Sequence, residues 1–215
     1  MRVQRRFIAI HDSRGGNSDY IFLPRNPKDW VEQMVAWVQQ TWDISMAINT
    51  VAHGVGGCSV AFLSRGSCLD LDDGLGFGFI VPLATLARMR LFLGDGRFEC
   101  KQSSVRIEAD LDIPNQREDD QEWDEDRDRR IFLPTDPDAW VAAMRADIAE
   151  RGNILMGIEN RPDGRCIICF VPQLEGTETF EKALRDGKGF GFIAEPDTVR
   201  GMLDLLGLAT MYYRG

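Results

Sequence analysis

The 215-residue sequence contains no apolar run of the roughly 18 residues that a membrane-spanning helix requires. Its first ten residues, MRVQRRFIAI, carry positive charge, but the apolar stretch behind the arginines is too short for a secretory signal. A soluble, cytoplasmic protein is therefore expected. Histidine is scarce: only His11 and His53 occur. His11, Asp12 and Ser13 set a base, an acid and a hydroxyl side by side, but adjacent residues rarely converge as a triad, and no nucleophile elbow accompanies them. Material for acid–base catalysis is thin, so the enzyme reading leans to no. Cysteines number five, an odd count without framework spacing, which favours reduced thiols over disulfide staples. Cys166 and Cys169 have CxxC spacing, but they lie in an expected strand, where residues three apart point to opposite faces. They are expected as core residues, as is Cys58, and neither a metal nor a cofactor is expected. Asp70 to Gly74, DLDDG, lacks the alternation and the distal glutamate of a calcium loop. Positive charge is also in deficit, with 25 Lys and Arg against 34 Asp and Glu, a formal charge of −9. Such a surface repels phosphate backbones and suits a basic protein partner or nucleic-acid mimicry.

What the chain has is internal repetition. IFLPRNPKDWVEQM, from Ile21 to Met34, aligns without a gap with IFLPTDPDAWVAAM, from Ile131 to Met144, an offset of 110 residues. Downstream, GFGFI recurs at Gly76 and at Gly189, an offset of 113. Two matches in the same order at nearly the same spacing indicate a tandem duplication, with one lobe over 1–102 and a second over 103–215.

Set against each other, the two stretches predict their elements. Val105, Ile107, Ala109, Leu111 and Ile113 alternate with charged residues, as a strand with one wet face does, and Arg5 to Asp12 is its counterpart. A short IFLP strand follows. Asn26-Pro27 and Asp136-Pro137 then place an N-cap before proline, the start signal of a helix with an apolar stripe. A hairpin comes next, turned in the second stretch by Pro162-Asp163-Gly164. The GFGFI strand, a helix over roughly 83–93 or 197–206, and a short closing strand complete a β-β-α-β-β-β-α-β unit. The fold class is α+β with mainly antiparallel sheets and a pseudo-two-fold axis. Residues 114–130 hold eight acidic residues and one aromatic, and are read as a solvated, mobile loop between the first two strands of the second stretch.

Lys188-Gly189-Phe190-Gly191-Phe192-Ile193 resembles the first ribonucleoprotein signature of the RNA-recognition motif, and Ile131 to Pro134 resembles its companion. The resemblance implies that Phe190 and Phe192 stack bases beside Phe132, with Phe77 and Phe79 in the equivalent places and Lys188 on phosphate. It spans six residues, and the other stretch has Leu75 where the lysine stands. Packing accounts for the same residues: in a strand, Phe77, Phe79 and Val81 share a face, and the glycines opposite permit close backbone approach. Packing is the preferred reading.

The functional expectation is a non-enzymatic, acidic protein-binding module of the inhibitor, immunity or anti-defence type. Its partner would be a basic protein, met through Asp119, Asp120, Glu122, Asp124, Glu125 and Asp126. A monomer that is an internal pseudo-dimer, or a homodimer, would suit it. Nucleic acid and membrane are not expected partners. The alternatives are single-stranded nucleic-acid binding through the GFGF strands, or an enzyme or small-molecule binder in a cleft between lobes.

Overall fold

A computed structural model describes residues 5–11, 21–41, 43–49, 57–64, 71, 73–82, 105–108, 131–172 and 178–194. Within them the chain forms two five-stranded antiparallel sheets and three helices, an α+β fold. In chain order the elements are β1 (Arg5–His11), β2 (Ile21–Phe22), α1 (Pro27–Thr41), β3 (Asp43–Asn49), β4 (Gly57–Leu63), β5 (Phe77–Pro82) and β6 (Val105–Glu108). There follow β7 (Ile131–Phe132), α2 (Pro137–Arg151), β8 (Asn153–Asn160), β9 (Cys166–Val171), α3 (Phe180–Arg185) and β10 (Phe190–Ala194). The expected helices over 83–93 and 197–206, both closing strands, residues 109–113 and the acidic loop 114–130 lie outside the described residues.

Local chemistry fixes the helix ends. Asp136 is extended, and its carboxylate accepts the backbone N–H of Ala139 at 3.0 Å, with Pro137 behind it in the first turn. Gly152, at φ 71°, ends α2 by donating its N–H to the carbonyl of Ile148 at 2.8 Å. In α1, Asn26 caps Asp29 in the same manner. The β8–β9 turn closes as its Pro-Asp-Gly predicts. Arg161 donates to the Arg165 carbonyl at 2.8 Å, and Gly164 adopts φ 89°. Burial raises the Asp163 carboxyl, but hydrogen bonds and positive charge from Arg165, helped by Arg161, outweigh it and hold the group below its usual range.

The sheets run β1-β8-β9-β10-β7 and β2-β5-β4-β3-β6. The sequence places Arg5 to Asp12 at the head of the first stretch, yet β1 pairs with β8 of the second, from Arg5 opposite Glu159 to His11 opposite Asn153. In return, β6 pairs with β3, from Asp43 opposite Glu108 to Met46 opposite Val105. Alternation along the strands sorts side chains into layers. On β9, Ile168 and Phe170 join the large central core while Ile167, Cys169 and Val171 face the other way. On β4, Val60 and Phe62 join that same core while Ala61 and Leu63 face outward to Leu71. The helices α1 and α2 add their apolar stripes to the centre, through Trp30, Met34 and Val38 and through Trp140, Val141 and Met144. The short α3 covers the outer face of the first sheet with Phe180 and Leu184.

Candidate functional site

The residues flagged by the RNA-recognition resemblance sit on β5 and β10, and the local geometry accounts for the whole DGxGFGFI pattern. The Asp-Gly at its head is a turn: Gly74 and Gly187 adopt φ 72° and 70°, the left-handed region that glycine enters freely. Each presents its carbonyl to the segment that precedes a helix. Arg25 donates its backbone N–H to Gly74 at 3.0 Å, and Thr135 donates to Gly187 at 3.1 Å. A side chain on Gly187 would collide with the Thr135 hydroxyl.

Beyond the turn the strand alternates. Phe190 and Phe192 pass their rings inward, as do Phe77 and Phe79 on β5, and none is more than 1% exposed. Their ring faces are covered by one another and by the helices. Phe77 lies 5.0 Å from Phe170, Phe190 lies 5.1 Å from Phe62 and 5.5 Å from Trp30, and Phe192 lies 5.8 Å from Phe62. Base stacking needs an open ring face, and the packing leaves none of the four with one. Phe132, the companion aromatic, is half-buried and packs with the cluster under α3. On the outward side, a Cβ on Gly191 would stand 2.7 Å from Leu184 Cδ1 and 2.8 Å from the Ile168 carbonyl oxygen. On Gly78 it would stand 2.5 Å from the Val60 carbonyl oxygen and 2.7 Å from Leu71. The two glycines therefore let a leucine close over each strand.

Lys188 is exposed, and its ammonium lies 2.7 Å from the carboxylate of Glu178, the residue before the N-cap of α3, which ties down the approach to β10. Asp119, Asp120, Glu122, Asp124, Glu125 and Asp126 lie outside the described residues, as do His53, Asp12 and Ser13. His11 is placed by its backbone as the last residue of β1.

Cys166 and Cys169 are separated onto the two faces of β9. Cys166 is half-buried with its thiol 3.3 Å from Asn160 Oδ1, and its pKa is raised by burial and then by the charge of Asp163. Cys169 is fully buried, and burial pushes its thiol up to about 12, although its S–H points to the Gly157 carbonyl at 3.5 Å. Thiolate is the reactive form, so an alkylating reagent is expected to modify Cys166 slowly and Cys169 only through unfolding. Peptide mapping over time checks the order; equal rates for the two would refute it.

Sequence reasoning passed over two features. One is α3, whose signals were present: Thr179 accepts the Lys182 backbone N–H at 3.0 Å as N-cap, and Gly187 follows the last turn. The other is Glu159, a carboxylate only 7% exposed on the face that Cys169 shares, next to the apolar run Ile154–Ile158 of β8. Among the described residues, no three or more His, Cys, Asp and Glu side chains are grouped to hold a metal ion, and no helix is long and apolar enough to cross a membrane. Comparison of the chain with protein-family models, curated proteins and solved structures returns no match.

Proposed function

We propose that the protein is an acidic, non-enzymatic protein-binding module of the inhibitor, immunity or anti-defence type, built from two copies of one unit about a pseudo-two-fold axis. The duplication is supported by correspondence at several levels. The sheet orders β1-β8-β9-β10-β7 and β6-β3-β4-β5-β2 match strand for strand, each strand of one stretch standing where its counterpart stands in the other sheet. The turns at Gly74 and Gly187 make equivalent hydrogen bonds, to Arg25 and Thr135.

The observation that carries the functional reading is charge. The chain has a net charge of −9, and eight carboxylates fall within residues 114–130. The four phenylalanines that would serve a nucleic acid are committed to the interior. A surface of this sign steers a basic protein toward it and lowers the encounter rate with phosphate polymers. The partner class is therefore a basic protein, bound by a monomer or a homodimer in the cytoplasm, with Asp119, Asp120, Glu122, Asp124, Glu125 and Asp126 supplying part of the field.

The test is capture of partners from the native host by the intact chain and by a variant with those six residues changed to Asn or Gln. A stoichiometric basic protein, retained in a salt-dependent way and lost by the neutralised variant, is the expected result. Salt-sensitive binding of labelled RNA or single-stranded DNA that Lys188→Ala weakens, with no protein partner, would overturn it in favour of nucleic-acid binding. A small molecule that co-purifies with the chain would favour the ligand-binding alternative.

A further inference from the structure

We infer that residues 1–102 and 103–215 are not separate folding units: each sheet is finished at one edge by a strand from across that boundary, and the chain folds as a single interlocked body. The exchange is reciprocal. β1, from the first stretch, runs along β8 over seven consecutive residue pairs. β6, from the second stretch, runs along β3 over four. Withdrawing β1 uncovers the whole backbone edge of β8, a row of polar groups that pairs indiscriminately when bare.

The core is shared in the same way. Trp30 of α1 stacks on Trp140 of α2 at 5.6 Å and 15° between planes, and also touches Phe190 of β10. Phe62 of β4 lies 5.3 Å from Phe170 of β9, and Phe77 of β5 lies 5.4 Å from Trp140. Every one of these pairs crosses the 102/103 boundary. Aromatic side chains bury about 150–250 Å² each, so either stretch alone would expose several of the largest apolar faces in the molecule. A further consequence concerns the covalent link. The connection between β6 and β7 contributes nothing to the described ladders, so cutting it leaves both strand exchanges in place.

The experiment uses the full chain with a protease site introduced within residues 114–130 and cleaved after folding. The two fragments are expected to co-elute at the volume of the intact chain and to unfold in one transition. Fragments that come apart and both lose structure support the same inference, because neither is then a unit. Fragments that separate and each keep their own cooperative unfolding transition would overturn it. Strand placement is read independently by engineered disulfides in the cleaved chain. Ala9→Cys with Leu155→Cys should hold the fragments together on a non-reducing gel, since these residues face each other in the β1–β8 register. Ala9→Cys with Ser45→Cys, the equivalent position on β3, should not cross-link, and a cross-link there would sink the exchange. If neither pair oxidises, amide exchange decides. Joint protection of Arg5–His11 and Asn153–Asn160, lost together in denaturant, supports the strap. Protection of β8 that persists while β1 exchanges freely refutes it.

Discussion

Phe190→Ala is expected to destabilise the protein by about 3–5 kcal/mol, the range for truncating a buried aromatic ring. The ring is 0% exposed and lies within 5.1 to 6.2 Å, centre to centre, of Phe62, Trp30, Phe77, Phe170 and Phe192. Those rings come from both sheets and a helix, so the cavity is bounded by elements that cannot easily collapse into it. A loss of that size is a large fraction of the roughly 5–15 kcal/mol by which a domain is stable. Chemical denaturation reads it directly. Phe190→Leu, which keeps most of the volume, should cost less than about 1.5 kcal/mol. The two variants separate packing from base stacking: a ring held out for RNA would leave stability untouched in both and abolish nucleic-acid binding in both. Unchanged denaturation midpoints would mean that the ring is not where the core places it.

The second large effect concerns the stacked tryptophans. Trp30→Ala and Trp140→Ala should each cost about 3–5 kcal/mol. Their rings lie 5.6 Å apart at 15°, with each residue at most 3% exposed. Because they contact one another, the two losses are expected to be non-additive. A double-mutant cycle should return a coupling of about 0.5–1.5 kcal/mol for the pair. Both indole Nε1 atoms are buried without an acceptor among the described residues. Replacement by phenylalanine deletes that unsatisfied donor along with some volume, so Trp→Phe should be much milder than Trp→Ala at both sites. Additive alanine losses would show that the two helices do not share one contact. The measurement also bears on the interlocked fold, since Trp30 and Trp140 belong to different stretches of the chain.

Much of the local structure was legible in the residues themselves. Asp136-Pro137 announced a capped helix and Pro162-Asp163-Gly164 a turn, because both signals act within a few residues and need no partner from far away. The period-two reading of GFGFI correctly put Phe77, Phe79, Phe190 and Phe192 on inward faces. It also put Cys166 and Cys169 on opposite faces of their strand. The helix α3 escaped because six residues hold too little propensity to stand out. It is held in place by Phe180, Ala183 and Leu184 packing on the outer face of the first sheet, a contact that no local pattern announces. For the candidate site, the six loop carboxylates lie outside the described residues, and burial of the four phenylalanines against the other stretch needed the packed structure.

The sequence by itself determined most of the described strands and the two long helices, which strand face is apolar, where the Pro162-Asp163-Gly164 turn falls and that two stretches of the chain read alike. Which sheet each first strand joins was decided only by tertiary structure. Alternation along Arg5–His11 selects a face to bury but says nothing about the edge that strand will pair with. The edge it takes, on β8, lies some 150 positions away, from Arg5 to Glu159. Both β3 and β8 offer a backbone edge of the same kind, and hydrogen-bond chemistry does not tell them apart. The choice belongs to the connections and to the shared aromatic core that draws the two sheets together.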